Sequence, residues 1–109
     1  MAGVLPAFSA APAHASDIQD KIAAAKTPAD HEDIAKWYDE QANEAQQKAD
    51  EHKKMGEAYK KEGGSHANKT HFYEHCEALV RSYTAEAKEY RQLAAAHRQM
   101  AKAAEKTTK

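Results

Sequence analysis

Small and aromatic residues recur at alternating spacings of four and three along most of this chain. Tyr38, Ala42, Ala45, Ala49, His52, Gly56 and Tyr59 form one such stripe, and Cys76, Val80, Tyr83, Ala87, Tyr90, Ala94, His97, Ala101 and Ala104 form a second. A stripe with that period runs along one side of an α-helix and stays in contact with a neighbouring helix over many turns. What fills it narrows the fold further. The large aliphatic residues are Val4, Leu5, Ile18, Ile22, Ile34, Leu79, Val80 and Leu93, too few among 109 residues for a globular core. Alanine is the best helix former, and its single methyl lets two helix backbones approach closely. The pattern therefore predicts an all-α fold of long helices in close contact.

Local signals place the boundaries. Ser16 with Gln19 three residues on makes a capping box, and Ile18, Ile22 and Ala25 share a face, so a short helix is expected over 16–26. Thr27 caps a second helix, with Pro28 at its first position and Asp30 at its third. It runs to about 62, where Gly63-Gly64 stops it. A third helix, capped by Ser65 or Asn68, is expected over about 66–105, before a 107–109 tail. A short connection makes the two long helices antiparallel, so 27–106 reads as one helical-hairpin domain. A lone hairpin with an alanine seam buries little, and pairing of two copies into a four-helix bundle, a homodimer, is the expected remedy.

Charged residues make up 30 % of the chain, with both signs interspersed and a formal net charge of −1. That balance gives no electrostatic case for nucleic acid or an anionic membrane. No run approaches the roughly 20 apolar residues of a membrane span. Residues 1–15 are uncharged and end in Ala13-His14-Ala15, a small-x-small pattern before Ser16. They read as the back half of a secretory signal without its positive n-region, so a periplasmic or secreted location is expected.

The two long helices are related by an offset of 45 residues without a gap. Tyr38 falls on Tyr83, Ala42 on Ala87, Ala49 on Ala94, His52 on His97 and Met55 on Met100, while His31 falls on Cys76. Alanine matches are cheap in such sequences, but His, Met and Tyr are rarer, and the pattern reads as a duplicated helix. Folding the copies back at Gly64 sets the start of each against the end of the other. To within one helical turn, His52 then faces Cys76, Tyr38 faces Tyr90 and His31 faces His97.

Two candidate metal clusters follow. Near the turn are His52 and Met55, three apart on one face, with Cys76 across from them and His75 and His71 nearby. At the open end His97 and Met100 repeat the pair, with His31 across. Imidazole, thiolate and thioether together suit copper, while zinc would take the His/Cys subset, and haem is a variant of the same idea. In architecture and expected compartment the chain resembles small exported helical bundles that bind copper, other metals or haem. Taken singly, each of these residues also fits simple packing.

No Gly-rich phosphate loop, Ser/His/Asp spacing or paired-carboxylate pocket is present, so no enzymatic activity is expected. The alternative reading is a non-catalytic interaction hairpin that binds a periplasmic protein partner through Leu79, Leu93 and Trp37, which lie beside the seam.

Overall fold

Thr27 and Asp30 fix where the first long helix starts. In the computed structural model, which describes residues 15–62 and 67–107 with side chains over 17–61 and 71–107, Asp30 accepts hydrogen bonds from two backbone N–H groups, those of Lys26 (2.9 Å) and Thr27 (3.0 Å). The Thr27 hydroxyl accepts in return from the Asp30 N–H (3.1 Å). These bonds occupy donors that a helix start leaves unpaired. The Lys26 N–H first, and then that of Thr27, hold the Asp30 carboxyl below the usual range.

Three helices follow: α1 (Ala15–Ala24), α2 (Pro28–Glu62) and α3 (Ala67–Thr107). The short helix ends two residues before the expected 26, because the Lys26 N–H is drawn to Asp30 and leaves the helical ladder. At the other end Thr107 stays helical instead of opening the tail, and its hydroxyl donates to the Ala104 carbonyl (3.0 Å). The expected leader up to His14, the Gly63-Gly64 turn and the caps assigned to Ser65 and Asn68 fall outside the described residues and side chains.

The long helices are antiparallel. Tyr38 lies against Tyr90 (ring centroids 6.1 Å apart), His52 against Tyr83 (5.6 Å) and Tyr59 against Phe72 (5.2 Å), so positions rise along α2 as they fall along α3. At 1.5 Å per residue the 41 residues of α3 span roughly 62 Å, which accounts for the 66 Å longest dimension.

Alanine makes the seam. Ala42, Ala45 and Ala49 from α2 meet Cys76, Ala87, Ala94 and Ala101 from α3, all buried. The approach is tightest at Gly56, where an added Cβ would stand 3.2 Å from the Cys76 Cβ. The largest fully buried side chain is Ile34, beside this seam; Ala35, also buried, continues the seam toward the start of α2, and α1, whose Ile18 is buried, packs on α2. Among the described residues there is no strand, and no helix is long and apolar enough to cross a membrane.

A seam closed at the size of a methyl group has no room for more. Ala87→Leu, at a position with no exposed surface, is expected to lower stability by about 1–3 kcal/mol. Denaturant titration followed by circular dichroism measures this, and Ala85→Leu, on the exposed side of the same helix, serves as the control.

Candidate functional site

The capping box at Thr27 sets the first turn of α2, and His31 is the next residue along. Its backbone N–H donates to the Thr27 carbonyl (3.2 Å). From this anchored turn the His31 ring reaches across to α3, where its Nδ1 lies 3.2 Å from the Nδ1 of His97. The two rings are stacked, with centroids 5.4 Å apart. At that distance an Nδ1–H on either ring donates to the Nδ1 of the other, so the contact is a hydrogen bond in the tautomer that puts one proton between the two nitrogens.

His97 is the one buried polar side chain among the described residues, at 8 % exposure. Its outer neighbours are aromatic. Tyr38 stacks on it (5.8 Å), Tyr90 stacks on Tyr38 and Trp37 meets Tyr38 edge-on (5.2 Å). Burial, and secondarily the neighbouring His31, lowers the pKa of His97 below the usual 6.5. Arg98, the next residue, fastens the same level of the hairpin: its Nη2 donates to Asp39 (2.7 Å) and its Nε lies 3.6 Å from Glu32. Both carboxylates belong to α2, so this half-exposed fork holds the two helices in register beside the histidines. Met100, one turn along from His97, is 46 % exposed.

The turn end has a different arrangement. His52 stacks face to face on Tyr83 (5.6 Å, 10° between planes), which is the His97–Tyr38 contact shifted by the same 45 residues. Its Nδ1, however, is buried without a hydrogen-bond partner. The place equivalent to His31 is occupied by Cys76, and Cys76 packs on Gly56, one helical turn from His52. A groove of about 300 Å³ opens beside them, lined in part by His52, Gly56, Tyr73 and Val80. Met55 is 42 % exposed.

His71 and His75 belong to another face. They are exposed and stack on each other (6.1 Å), with His71 Nδ1 3.7 Å from Glu74, while Cys76 between the helices is buried. The donors expected together at the turn are thus divided between an inner side, with Cys76 and His52, and an outer side, with His71 and His75. Among the described residues no three His, Cys, Asp or Glu side chains group closely enough to hold an ion. The structure does bring His31 and His97 together.

Sequence reasoning missed the tyrosine platform beneath each histidine and the Arg98 fork. The platform had a signal. Once His97 is placed beside Tyr38, the 45-residue offset demands that His52 lie beside Tyr83. The fork had none, since Lys53 and Thr84 stand at the places equivalent to Arg98 and Asp39.

Compared with known proteins, the chain matches no family model, no curated protein and no solved structure.

The buried imidazole makes stability depend on pH. Because the folded pKa of His97 lies below the unfolded value near 6.5, the unfolded chain takes up protons first as pH falls. Stability is full above that value, declines as pH drops through it, and levels off below the folded pKa. Melting temperatures measured from pH 8 down to 5 should fall, and His97→Gln should remove most of that slope.

Proposed function

We propose that this protein is an exported, metal-binding helical hairpin that takes a late first-row ion, copper preferred, between His31 and His97. The observation that carries the reading is the 3.2 Å separation of the two Nδ1 atoms. Two nitrogens each about 2.0 Å from a tetrahedral ion stand about 3.3 Å apart. The pair therefore already has the spacing of two ligands, and an ion would replace the single shared proton. Met100, on the turn after His97, supplies a thioether within reach of a side-chain rotation. Imidazole with thioether favours copper, and zinc would use the imidazoles alone.

The tyrosine platform gives this pair the support a metal site needs. Stacking on Tyr38 fixes the plane of the His97 ring, and the Arg98 fork fixes the distance between helices. Ligands held this way lose little freedom when an ion arrives. A second, looser site at the turn end would draw on the unpartnered Nδ1 of His52, with Cys76 and Met55. The remainder of the reading is that the two long helices are copies of one ancestral helix, that residues 1–15 direct export, and that two hairpins pair into a four-helix bundle. Two His–Tyr stacks related by one offset support the duplication.

The alternative of a non-catalytic interaction hairpin has one observation in its favour, the exposure of Leu79 and Leu93. The metal experiment separates the two. Metal-free, reduced protein titrated with Cu(I) against a chromogenic competitor should bind about two ions per chain, and His31→Ala or His97→Ala should abolish the tighter one. Trp37, the single tryptophan, offers a second readout, since it touches the Tyr38 that stacks on His97. Cu(II) at the pair should quench its fluorescence, and the quenching should weaken below the pH at which His97 protonates. Absence of uptake by the reduced wild-type protein overturns the metal reading. Elemental analysis of protein from its native host tests the ion without assuming it.

A further inference from the structure

His71 and His75 are left over once the inner donors are placed. Both are exposed, so packing in the alanine seam accounts for neither. The 45-residue pattern does not supply them, since Lys26 and Asp30 stand at the equivalent places. What they share is position. Four residues apart, they lie on one face of α3, a single turn from each other and turned away from the side on which Cys76 meets α2. Their rings stack with centroids 6.1 Å apart. The rise over four helical residues is about 6.0 Å, so the two side chains extend side by side from the helix.

The local chemistry suits a cation. His71-Phe72-Tyr73-Glu74-His75 sets two histidines one turn apart with a glutamate beside the second, a spacing with which one helix can hold a divalent ion. Glu74 Oε1 lies 3.7 Å from His71 Nδ1. A carboxylate facing that nitrogen steadies the ring and leaves Nε2 for an ion, and it adds negative charge beside the pair. The His71 and Glu74 side chains are 69 % and 63 % exposed, so an ion reaches them without the hairpin opening. Two imidazole nitrogens at neighbouring corners of a square, each about 2.0 Å from the ion, stand about 2.8 Å apart. Side-chain rotation brings two parallel rings to that spacing.

We infer that His71 and His75 chelate one divalent late first-row ion, Cu(II) most tightly, on the outer face of α3, with Glu74 beside it and water in the remaining positions. The site is separate from the His31–His97 pair and does not rest on the reading given to that pair. It contains no thiolate or thioether, so it favours divalent ions where the inner donors favour Cu(I). The chelate ties one turn of α3 to the next, and binding therefore stabilises the helix near its start.

The probe is Ni(II), which a thiol does not reduce, titrated by calorimetry into the metal-free full chain. With the inner pair removed by His31→Ala and His97→Ala, one Ni(II) should still bind and raise the melting temperature. Adding His71→Ala or His75→Ala should weaken that uptake at least about tenfold. Leu79→His should restore it in the chain carrying His71→Ala, because positions 75 and 79 repeat the four-residue spacing. Glu77→His, two residues from His75, should not. In the wild-type background His71→Ala or His75→Ala should lower the Ni(II) stoichiometry by one, which keeps the test independent of the inner substitutions. Uptake that is unchanged by His71→Ala and His75→Ala in either background overturns the outer site, and so does a wild type that takes up no Ni(II). Ni(II) uptake lost with His75→Ala supports the outer site even where the inner pair takes up no Cu(I).

Discussion

The close approach of α2 and α3 is the constraint on which the rest of the molecule depends. It exists because the facing positions are alanine, with Gly56 where the backbone comes nearest to Cys76. Methyl-sized side chains gain little from leaving water, about 0.8 kcal/mol for each buried carbon. The seam therefore settles distance and direction more than it supplies stability. Short spacing has a second effect. Larger side chains cannot lie between the helices, so the rings of the seam turn along the interface and stack: His97 on Tyr38, Tyr38 on Tyr90, His52 on Tyr83. The order of these aromatic rings is a by-product of an interface with no room for anything else.

Much of the architecture was legible in the sequence because helices and their ends are local matters. The stripe spacing, Pro28 and the Thr27–Asp30 box depend on neighbours in the chain, and they located α2 and its start. Register is not local, yet counting back from the turn correctly opposed Tyr38 to Tyr90 and His31 to His97. It was less exact at the turn end, where Cys76 meets Gly56 instead of His52. The physical reason is the absent side chain of Gly56, which leaves a notch that Cys76 and Tyr73 fill. Reasoning from ligand chemistry alone could not divide the donors there, because helix angle decides which of two adjacent residues, His75 or Cys76, turns inward. The Arg98 fork was out of reach for another reason. It has no counterpart in the other half of the chain, and long side chains choose partners only once the backbones are placed.

The two halves share a pattern and differ in its use. Both carry a histidine on a tyrosine, but only His97 has a second imidazole at its Nδ1, and only the His97 level carries an arginine fork. At the turn the corresponding Nδ1 is buried and unpartnered, a state that costs about 1–3 kcal/mol unless a water or ion fills it. The two sides differ as well: Ile34 is fully buried, while Leu79, 45 residues on, is 39 % exposed. The two long helices, alike in pattern, thus make two unlike ends and two unlike sides.

Helix ends unravel first, and at the open end of this hairpin two of them lie side by side: the first turn of α2 and the last turns of α3. Independent fraying would let each strand of the hairpin lift away without the other. The bond between His31 and His97 joins the two ends, so neither can unwind through that level without breaking the contact that holds its neighbour. Opening at this end has to break that contact together with the Arg98 fork beside it. Slow amide exchange there would report the state of the pair more directly than any property of the alanine seam.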